Sequence, residues 1–558
     1  MGINLWMAQL HFHFAMEIYH PMSIAPFTTM QSFPTFFVFI TFACLCYLFK
    51  SQWQGKVHKG RKPWLPPGPK PWPIVGHLPQ FIISKKTTSV SHWIHSFMKE
   101  MNTEIGCIRL GNVHVIPVTC PEIGLEFLKK QDSVFASRPL TMATDVLSKG
   151  HLTTIFSPFG DQWKKMKRVM VSEVLSPARH RLLYEKRVEE ADNLVRYVHN
   201  QCKDSDEGGL VNLRVVAQHY CSNVTRKLIF NRRYFGEGKP DGGPGFEEEE
   251  YVEAIFAFIV HLYSFCVSDY LPFLRGLDLE GHEKIVEEAI RVMEKYQDPI
   301  IEDRVQQWRN GKKLEPQDLL DVLVSLTDDH GAPLLSTNEI KAQISEINVA
   351  AVDNPSNALE WAFAEMLNKP ETLQKAMNEL DNVVGRDRLV QESDFPKLNY
   401  VKACAREAFR LHPISPFNPP HVSVSDTTVA GYFIPKGSHV ILSRFGLGRN
   451  PKVWDEPSEF KPERHLRDCN EGKEVVLAKP ELRLFTFSRG RRGCSGVVLG
   501  SSMTTMMFAR LLHSFEWSIP ASQGTIDLSQ GKGVPFLAKP LLAVAKPRLP
   551  PNVYSFPW

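Results

Sequence analysis

The ten cysteines include no C-x-x-C pair and no regular spacing, which argues against both a disulfide framework and a zinc site. Most of them read as reduced core residues, a pattern suited to a cytosol-facing domain. Charge of one sign is nearly absent in excess: 65 basic against 61 acidic residues leave +4, too little to make a nucleic-acid polyanion the general partner, while local basic patches stay open. There is no internal repeat. No G-x-G-x-x-G follows a strand and no phosphate-binding loop occurs, so the chain has no evident nicotinamide site of its own. Residues 1–32 contain neither Lys nor Arg.

What is present is an ordinary globular composition, 43% hydrophobic and 23% charged with 35 Phe, enough to bury a core around a flat ligand. Residues 33–49 form an uncharged apolar stretch near the short end of the roughly 17–25 residues that cross a bilayer. Lys50, Lys56, Lys59, Arg61 and Lys62 follow it directly, so the positive-inside rule places everything downstream in the cytosol. A cleaved signal peptide would carry its basic residues before the apolar run and small residues after it, and this segment has neither. The expected organisation is a lumenal segment 1–32, a transmembrane anchor 33–49, a basic and proline-rich segment 50–76, and a catalytic domain 77–558. The run from Leu65 to Pro73 favours stiff polyproline II; it reads as a rigid hinge or as an ordinary linker.

Beyond the hinge, Gly111-Asn112 between two apolar runs predicts a hairpin. Helical periodicity dominates from about residue 160 to 410, interrupted by a Gly/Pro-rich loop over 236–245 that leads into the acidic stretch 247–250. Past residue 410, short strand candidates such as His439 to Leu442 appear. The expected fold class is mainly α with small β-sheets, α+β.

The sharpest motif is Phe487-Ser488-Arg489-Gly490-Arg491-Arg492-Gly493-Cys494-Ser495-Gly496, which fits F-x-x-G-x-R-x-C-x-G at every fixed position. A haem-ligating thiolate needs backbone that folds tightly beneath the porphyrin, which Gly490, Gly493 and Gly496 permit, and donors that stabilise charge on sulfur. The competing reading is a Gly/Arg-rich surface turn with a free thiol. A second feature is Ser336-Thr337-Asn338-Glu339, a capping box that opens a long helix ending before Pro370. Inside it Pro355 has no amide proton for the carbonyl of Ala351, so a kink or opening is expected there.

On these motifs the chain from the hinge to its C-terminus resembles the cytochrome P-450 superfamily. The resemblance implies that fold, an N-terminal transmembrane helix, and haem b held by Cys494, whose thiolate favours O–O cleavage. It implies that Glu407, Arg410 and Arg464 form a buried network, in place of the surface ion pair that an i,i+3 spacing alone suggests. Phe487 and Arg492 would contact the haem. Trp163 and Lys167 match the family's W-x-x-x-R with Lys where Arg is usual, so either Lys167 or its neighbour Arg168 would meet a propionate. The basic cluster around them is a solvated face, a docking surface for an acidic electron donor, or both.

In most of the family an acid followed by Thr serves proton delivery during O2 activation, whereas this chain has Asp353 and Asn354. Relatives that rearrange hydroperoxides without O2 also lack the threonine. The string from Asp353 to Trp361, His412-Pro413 with Phe417-Asn418-Pro419-Pro420-His421, and Pro462-Glu463-Arg464-His465 resemble the plant amino-acid N-hydroxylases that form aldoximes. That resemblance implies two N-hydroxylations of an L-amino acid, with Ile, Leu, Val or Phe favoured, then loss of water and CO2, in plant specialised metabolism. It implies O2 and NADPH as cosubstrates, the NADPH acting through NADPH-cytochrome P-450 reductase, and an endoplasmic reticulum membrane location. Lys164, Lys165, Arg489 and Arg491 form the candidate docking face. Asp353 and Asn354 are the catalytic candidates, and Phe417, Asn418, His421 and Phe536 are candidate substrate contacts. The rivals are an O2-independent haem-thiolate isomerase or dehydratase, a monooxygenase of another small apolar metabolite, and a haem-binding sensor without turnover.

Overall fold

The computed structural model describes residues 64–87, 89–203, 208–262, 264–466, 474–478, 484–531 and 534–555. Seven of its helices position the site: α1 (Asp161–Val169), α2 (Leu213–Phe230), α3 (Phe246–Leu262), α4 (His282–Arg309), α5 (Thr337–Asn368), α6 (Asn399–Leu411) and α7 (Val497–Ser514). Helix α5 is the axis of the helical core. Ser336 caps it with both halves of the capping box made, and it runs for 32 residues to Asn368, just before Pro370 opens the next helix. Helices α2, α6 and α7 pack along it, and nearly all of its residues are buried. An all-round buried helix needs no polar stripe, which is why its sequence shows only weak amphipathic periodicity.

Pro355 sits inside α5 without ending it. The loosened turn is instead occupied by side chains: Asn354 Nδ2 donates to Ala350 O at 2.8 Å, and Ser356 Oγ donates to Val352 O at 2.7 Å and Asp353 O at 3.0 Å. These side chains back-bond to carbonyls adjoining Ala351 O, the one that Pro355 leaves without its amide donor.

Three small sheets lie beside the helices among the described residues. The first has the order β1-β2-β7-β4, with β1 (Ile108–Leu110), β2 (Val113–Val118), β4 (His421–Val422) and β7 (His439–Leu442); β2 and β7 run parallel and the other pairs antiparallel. Gly111-Asn112 makes the expected hairpin, with Leu110 opposite Val113 and Gly111 at φ +55°. The second sheet joins β3 (Gly209–Asn212) to β9 (Leu542–Pro547) and β8 (Phe515–Ser518); the third pairs β5 (Thr427–Val429) with β6 (Tyr432–Ile434). The molecule is thus mainly helical with minor sheets.

The described residues belong to one compact unit, which takes in the proline run ahead of residue 77. The reason is that the proline run is bonded to the first sheet: Cys107 N donates to Pro67 O at 2.8 Å, and His77 contacts Pro69 O at 3.1 Å. Segment 1–32, the expected span 33–49 and residues 50–63 lie outside the described residues. Among the described residues no helix is long and apolar enough to cross a membrane. The acidic stretch at the start of α3 is not wholly solvated, since Glu248 is buried against Arg226 at 2.6 Å. Of the seven described cysteines, all free, six are buried and only Cys494 is exposed.

Glu339 serves two structures at once. It completes the α5 capping box and accepts from Lys165 at 2.6 Å and Gln162 at 2.8 Å on α1. Glu339→Ala is expected to lower stability by about 2 kcal/mol, the sum of a lost cap and a lost inter-helix bond, read as a fall in thermal midpoint. An unchanged midpoint would show that the box does not tie α1 to α5.

Candidate active site around Cys494

The cysteine loop owes its shape to backbone that other residues adopt poorly. Ser488 and Gly490 have φ of +57° and +70°, and a Cβ on Gly490 would lie 2.0 Å from Leu128 O. The loop closes on itself, with Gly493 N donating to Gly490 O at 3.0 Å and Cys494 N to Phe487 O at 2.9 Å. The Phe487 ring meets Phe409 of α6 edge to face at 6.2 Å, so the loop rests on the helix that carries the E-x-x-R motif.

Cys494 has an accessible side chain, yet burial pushes its thiol up. Both hold when the sulfur lies at the wall of a recess, accessible on one side and surrounded by protein on the others. The Gly496 N–H, Lys167 and Arg444 act the other way and favour thiolate. Gly496 caps α7, whose 18 residues add a helix N-terminus beside the sulfur. Lys167 Nζ donates to Gly493 O at 3.1 Å and Ser495 Oγ at 2.8 Å, which places it on the loop flanking the sulfur, while Arg168 is exposed on another face of α1. The rotation of α1 therefore turns Lys167, and not Arg168, toward the cysteine loop.

Arg492 turns inward and lies 4.6 Å above the Trp163 ring. Its donors go to the carbonyls of Ala136, Thr154, Ile155 and Ser157. Arg138, which the sequence had not singled out, lies close by, and so does Glu346 of α5, which accepts from Thr154 N at 3.2 Å and Ile155 N at 2.8 Å. Burial together with the neighbouring Arg138 pulls the Arg492 guanidinium down to about 8, and burial pulls Arg138 down to about 10. Three cations, Arg138, Lys167 and Arg492, thus all feel the carboxylate of Glu346. A buried positive excess of this kind is costly unless an anionic group shares the space. The two propionates of a haem above a thiolate satisfy that requirement, so the residues present fit the group.

The far wall comes from α5. Most of that helix is buried, but Ala350, Ala351 and Asn354 keep partial exposure at i, i+1 and i+4, and Ile347 one turn earlier is 9% exposed. Small side chains there let a flat group approach the helix. Asn354 lies on this strip with one N–H spent on Ala350 O, which leaves its other N–H and its Oδ1 for a ligand or water. Asp353 points elsewhere. It is 1% exposed, neither carboxylate oxygen has a hydrogen-bond partner among the described residues, and its charge is felt by Cys221 of α2. Burial pushes it up to about 7, partly offset by Arg444. The two adjacent catalytic candidates therefore sit on different faces, a consequence of the 100° step between neighbours on a helix.

The candidate substrate contacts scatter. Phe417 is buried against the first sheet, its ring stacked on His95 at 5.7 Å. Asn418 is clamped to β7, accepting from Leu442 N at 2.6 Å and donating to Leu442 O at 3.0 Å, so both residues pin the segment after α6. His421 joins the cation cluster: its Nδ1 meets Phe135 O at 2.8 Å, and burial with Arg138 and Arg492 nearby holds it well below 6.5, hence neutral. Phe536 packs on Phe256 of α3 at 5.5 Å and on Arg214 at 5.7 Å. Its segment is fixed by Trp361 Nε1 donating to Pro535 O at 2.9 Å.

Behind the loop, Glu407 accepts from Arg410 at 2.8 and 2.7 Å, Arg464 at 2.9 Å and Lys461 N at 2.9 Å, and meets His465 Nε2 at 2.8 Å. The histidine is a fourth member that the charged motif alone did not reveal. Although burial opposes its charge, these partners hold the Glu407 carboxyl down to about 2. Arg410 also donates to the carbonyls of Gly448, Pro457 and Glu459, which fastens the irregular segment ahead of the cysteine loop.

Two outcomes are expected. Glu407→Gln strands buried cations and costs about 3–5 kcal/mol, abolishing folded haem-containing protein, whereas His465→Phe loses one bond and costs about 1–2 kcal/mol, both read by thermal melts and haem content. Equal tolerance of the two would contradict the network. For Asp353, the folded state holds its proton up to about pH 7 while an unfolded chain releases it near 3.8, so stability falls as pH rises between those values. Urea midpoints from pH 5 to 8 should show this slope, and Asp353→Asn should flatten it.

A family profile described as Cytochrome P450 matches residues 66–544. The chain is 58% identical to a phenylalanine N-monooxygenase of Prunus mume, over 88% of this chain and 92% of the relative. It is 57% identical to isoleucine N-monooxygenase 1 of Lotus japonicus over 94% and 97%, and 52% identical to valine N-monooxygenase 1 of Manihot esculenta over 95% and 96%. Among solved structures, a zebra fish cytochrome P450 with progesterone superposes with a TM-score of 0.65 at 23% identity, covering 82% of this chain and 99% of that one, a likeness of fold. With the thiol recess, its cationic wall and the buried glutamate network behind it, these matches place the chain in the cytochrome P450 family, as a haem-thiolate monooxygenase.

Proposed function

We propose that this monooxygenase converts an L-amino acid to its aldoxime, with Ile, Leu, Val or Phe favoured as substrate. The observation that carries the reading is identity of 52–58% over at least 88% of the chain with proteins named N-monooxygenases of phenylalanine, isoleucine and valine. In each of two turns one O2 and two electrons from NADPH are consumed, one oxygen atom going to the substrate nitrogen and the other to water. The N,N-dihydroxy product then loses CO2 and water to leave the oxime. An apolar pocket separates side chains differing by one methylene by only about 1–3 kcal/mol, so more than one apolar amino acid should be accepted.

Cys494 would ligate haem b, with Lys167, Arg492 and Trp163 on the propionate side and Phe487 beneath the loop. When bound, the haem supplies O2 activation and oxygen transfer. Ala350 and Ala351 leave room for the amino group, and Asn354, through its remaining N–H and Oδ1, orients water or the substrate nitrogen. Asp353, buried one face away, has its carboxyl pushed up to about 7 by burial and does not line the recess. Phe536 and Phe256 contribute apolar surface for the side chain.

Electrons would come from NADPH-cytochrome P-450 reductase, with this protein anchored by 33–49 in the endoplasmic reticulum membrane and its catalytic domain in the cytosol. The charge step after the apolar stretch supports that orientation. On the proposed docking face, Lys164 pairs with Asp161 and Arg491 with Asp132, both exposed and open to exchange, while Lys165 is held by Glu339 and contributes less. An O2-independent isomerase draws support from Asn354, and NADPH dependence separates the two readings.

Supplied with reductase, NADPH and single amino acids, the protein should form oxime from apolar ones, read by mass spectrometry. Cys494→Ala should abolish both turnover and the red-shifted absorption of the reduced carbonyl complex. Failure of all twenty amino acids, with that absorption intact, would end the amino-acid reading and leave the haem site standing.

A further inference from the structure

Arg138 differs from the other cations of the recess in what its donors do. It is 8% exposed and follows the buried pair Phe135-Ala136, remote in sequence from every motif of the site. Nε donates to Ile155 O at 3.3 Å, and Nη1 donates to Pro419 O at 3.0 Å and Pro420 O at 2.8 Å. Those bonds cross-link two separate segments, the one ahead of α1 and the one after α6, and they fix the plane of the guanidinium. Nη2 has no partner among the described residues. By contrast Arg492 spends donors from all three of its nitrogens on carbonyls, and Lys167 is tied to the cysteine loop. Carbonyls satisfy hydrogen bonds but do not neutralise charge, and the carboxylate felt by Arg138, that of Glu346, already bonds Thr154 N and Ile155 N and is felt by Arg492 and Lys167 as well. A rigid, desolvated fork with one free edge is the arrangement that takes a carboxylate with least ordering cost.

We propose that Arg138 is a carboxylate anchor, its Nη2 holding an oxygen of a carboxylate brought into the recess. That carboxylate has two chemical sources, a haem propionate and the α-carboxylate of the substrate, the second resting on the amino-acid reading above. His421 between Arg138 and Arg492 supports either source. Kept neutral with Nδ1 on Phe135 O, it adds no further charge and buries an Nε2 that has no partner among the described residues.

The full-length holoenzyme and its Arg138→Gln and Arg138→Lys variants separate the sources. One readout is haem content and the rate of haem transfer to apomyoglobin. The other is the substrate-induced shift of the haem absorption band, titrated with L-phenylalanine and L-isoleucine against their decarboxylated amines. If the substrate carboxylate is held, the acid-to-amine affinity ratio falls about tenfold or more in Arg138→Gln, as loss of a charged bond predicts, with haem transfer unchanged. If a propionate is held, haem transfer quickens about tenfold and the ratio stays put. Arg138→Lys keeps the charge without the fork and should move the same readout part of the way, which also serves if the glutamine variant does not fold. Variants that match the parent within twofold in both readouts overturn the proposal. A parent protein that responds to no amino acid tells against the amino-acid reading alone, because the haem readout still tests Arg138.

Discussion

The ionised carboxylate of Glu407, shut away from water, is the constraint on which the rest of this structure hangs. Its two oxygens accept from Arg410, Arg464 and the Lys461 amide and meet His465, and the guanidinium of Arg410 reaches three carbonyls of the irregular chain that follows β7. Desolvating so many charges gains little net stability, but any arrangement that misplaces one of them is strongly disfavoured. The network therefore works as a specificity device. It defines where a segment with almost no regular secondary structure must lie, and with it the loop that presents Cys494 beside the edge of α6.

A second electrostatic problem is posed in front of that loop and is left unsolved by the protein alone. Arg138, Lys167 and Arg492 all feel the carboxylate of Glu346, and the two arginines are pulled well below the usual guanidinium range, Arg138 by burial and Arg492 by burial and the neighbouring Arg138. A buried positive excess of this kind is stabilised by further anionic partners, which suits the recess to a ligand bearing carboxylates beside a sulfur. The helix opposite offers the complementary feature, a strip of small residues flanking Asn354, while the neighbouring acid is rotated away into the core.

Much of this was legible in the chain. The cysteine loop declares itself because thiolate ligation demands glycines and a basic residue at fixed spacings within ten residues, and the long helix declares itself through its capping box and the proline after its end. The E-x-x-R pair was visible as an i,i+3 contact, although spacing alone could not tell a buried network from a surface pair. Arg138, Glu346 and the role of His465 were not visible. They look like any arginine before a proline, any helical glutamate and any histidine, and they acquire meaning only from neighbours tens to hundreds of positions away. Phe417 and Asn418 show the converse: a suggestive place in the sequence, but side chains committed to the sheet and to β7.

The sequence by itself determined the class of chemistry, since the ligand sulfur and the backbone that shapes its loop are local properties of one short segment. It also determined the helical character of the domain, through capping, proline placement and periodicity. Only the tertiary structure decided that Lys167 and not Arg168 faces the cysteine loop, that Asn354 lines the recess while Asp353 does not, and that Arg138 stands beside Arg492 with a donor to spare. These are matters of helix rotation and long-range packing, where a single residue step turns a side chain by 100° and residues far apart in sequence must meet to within hydrogen-bond distance.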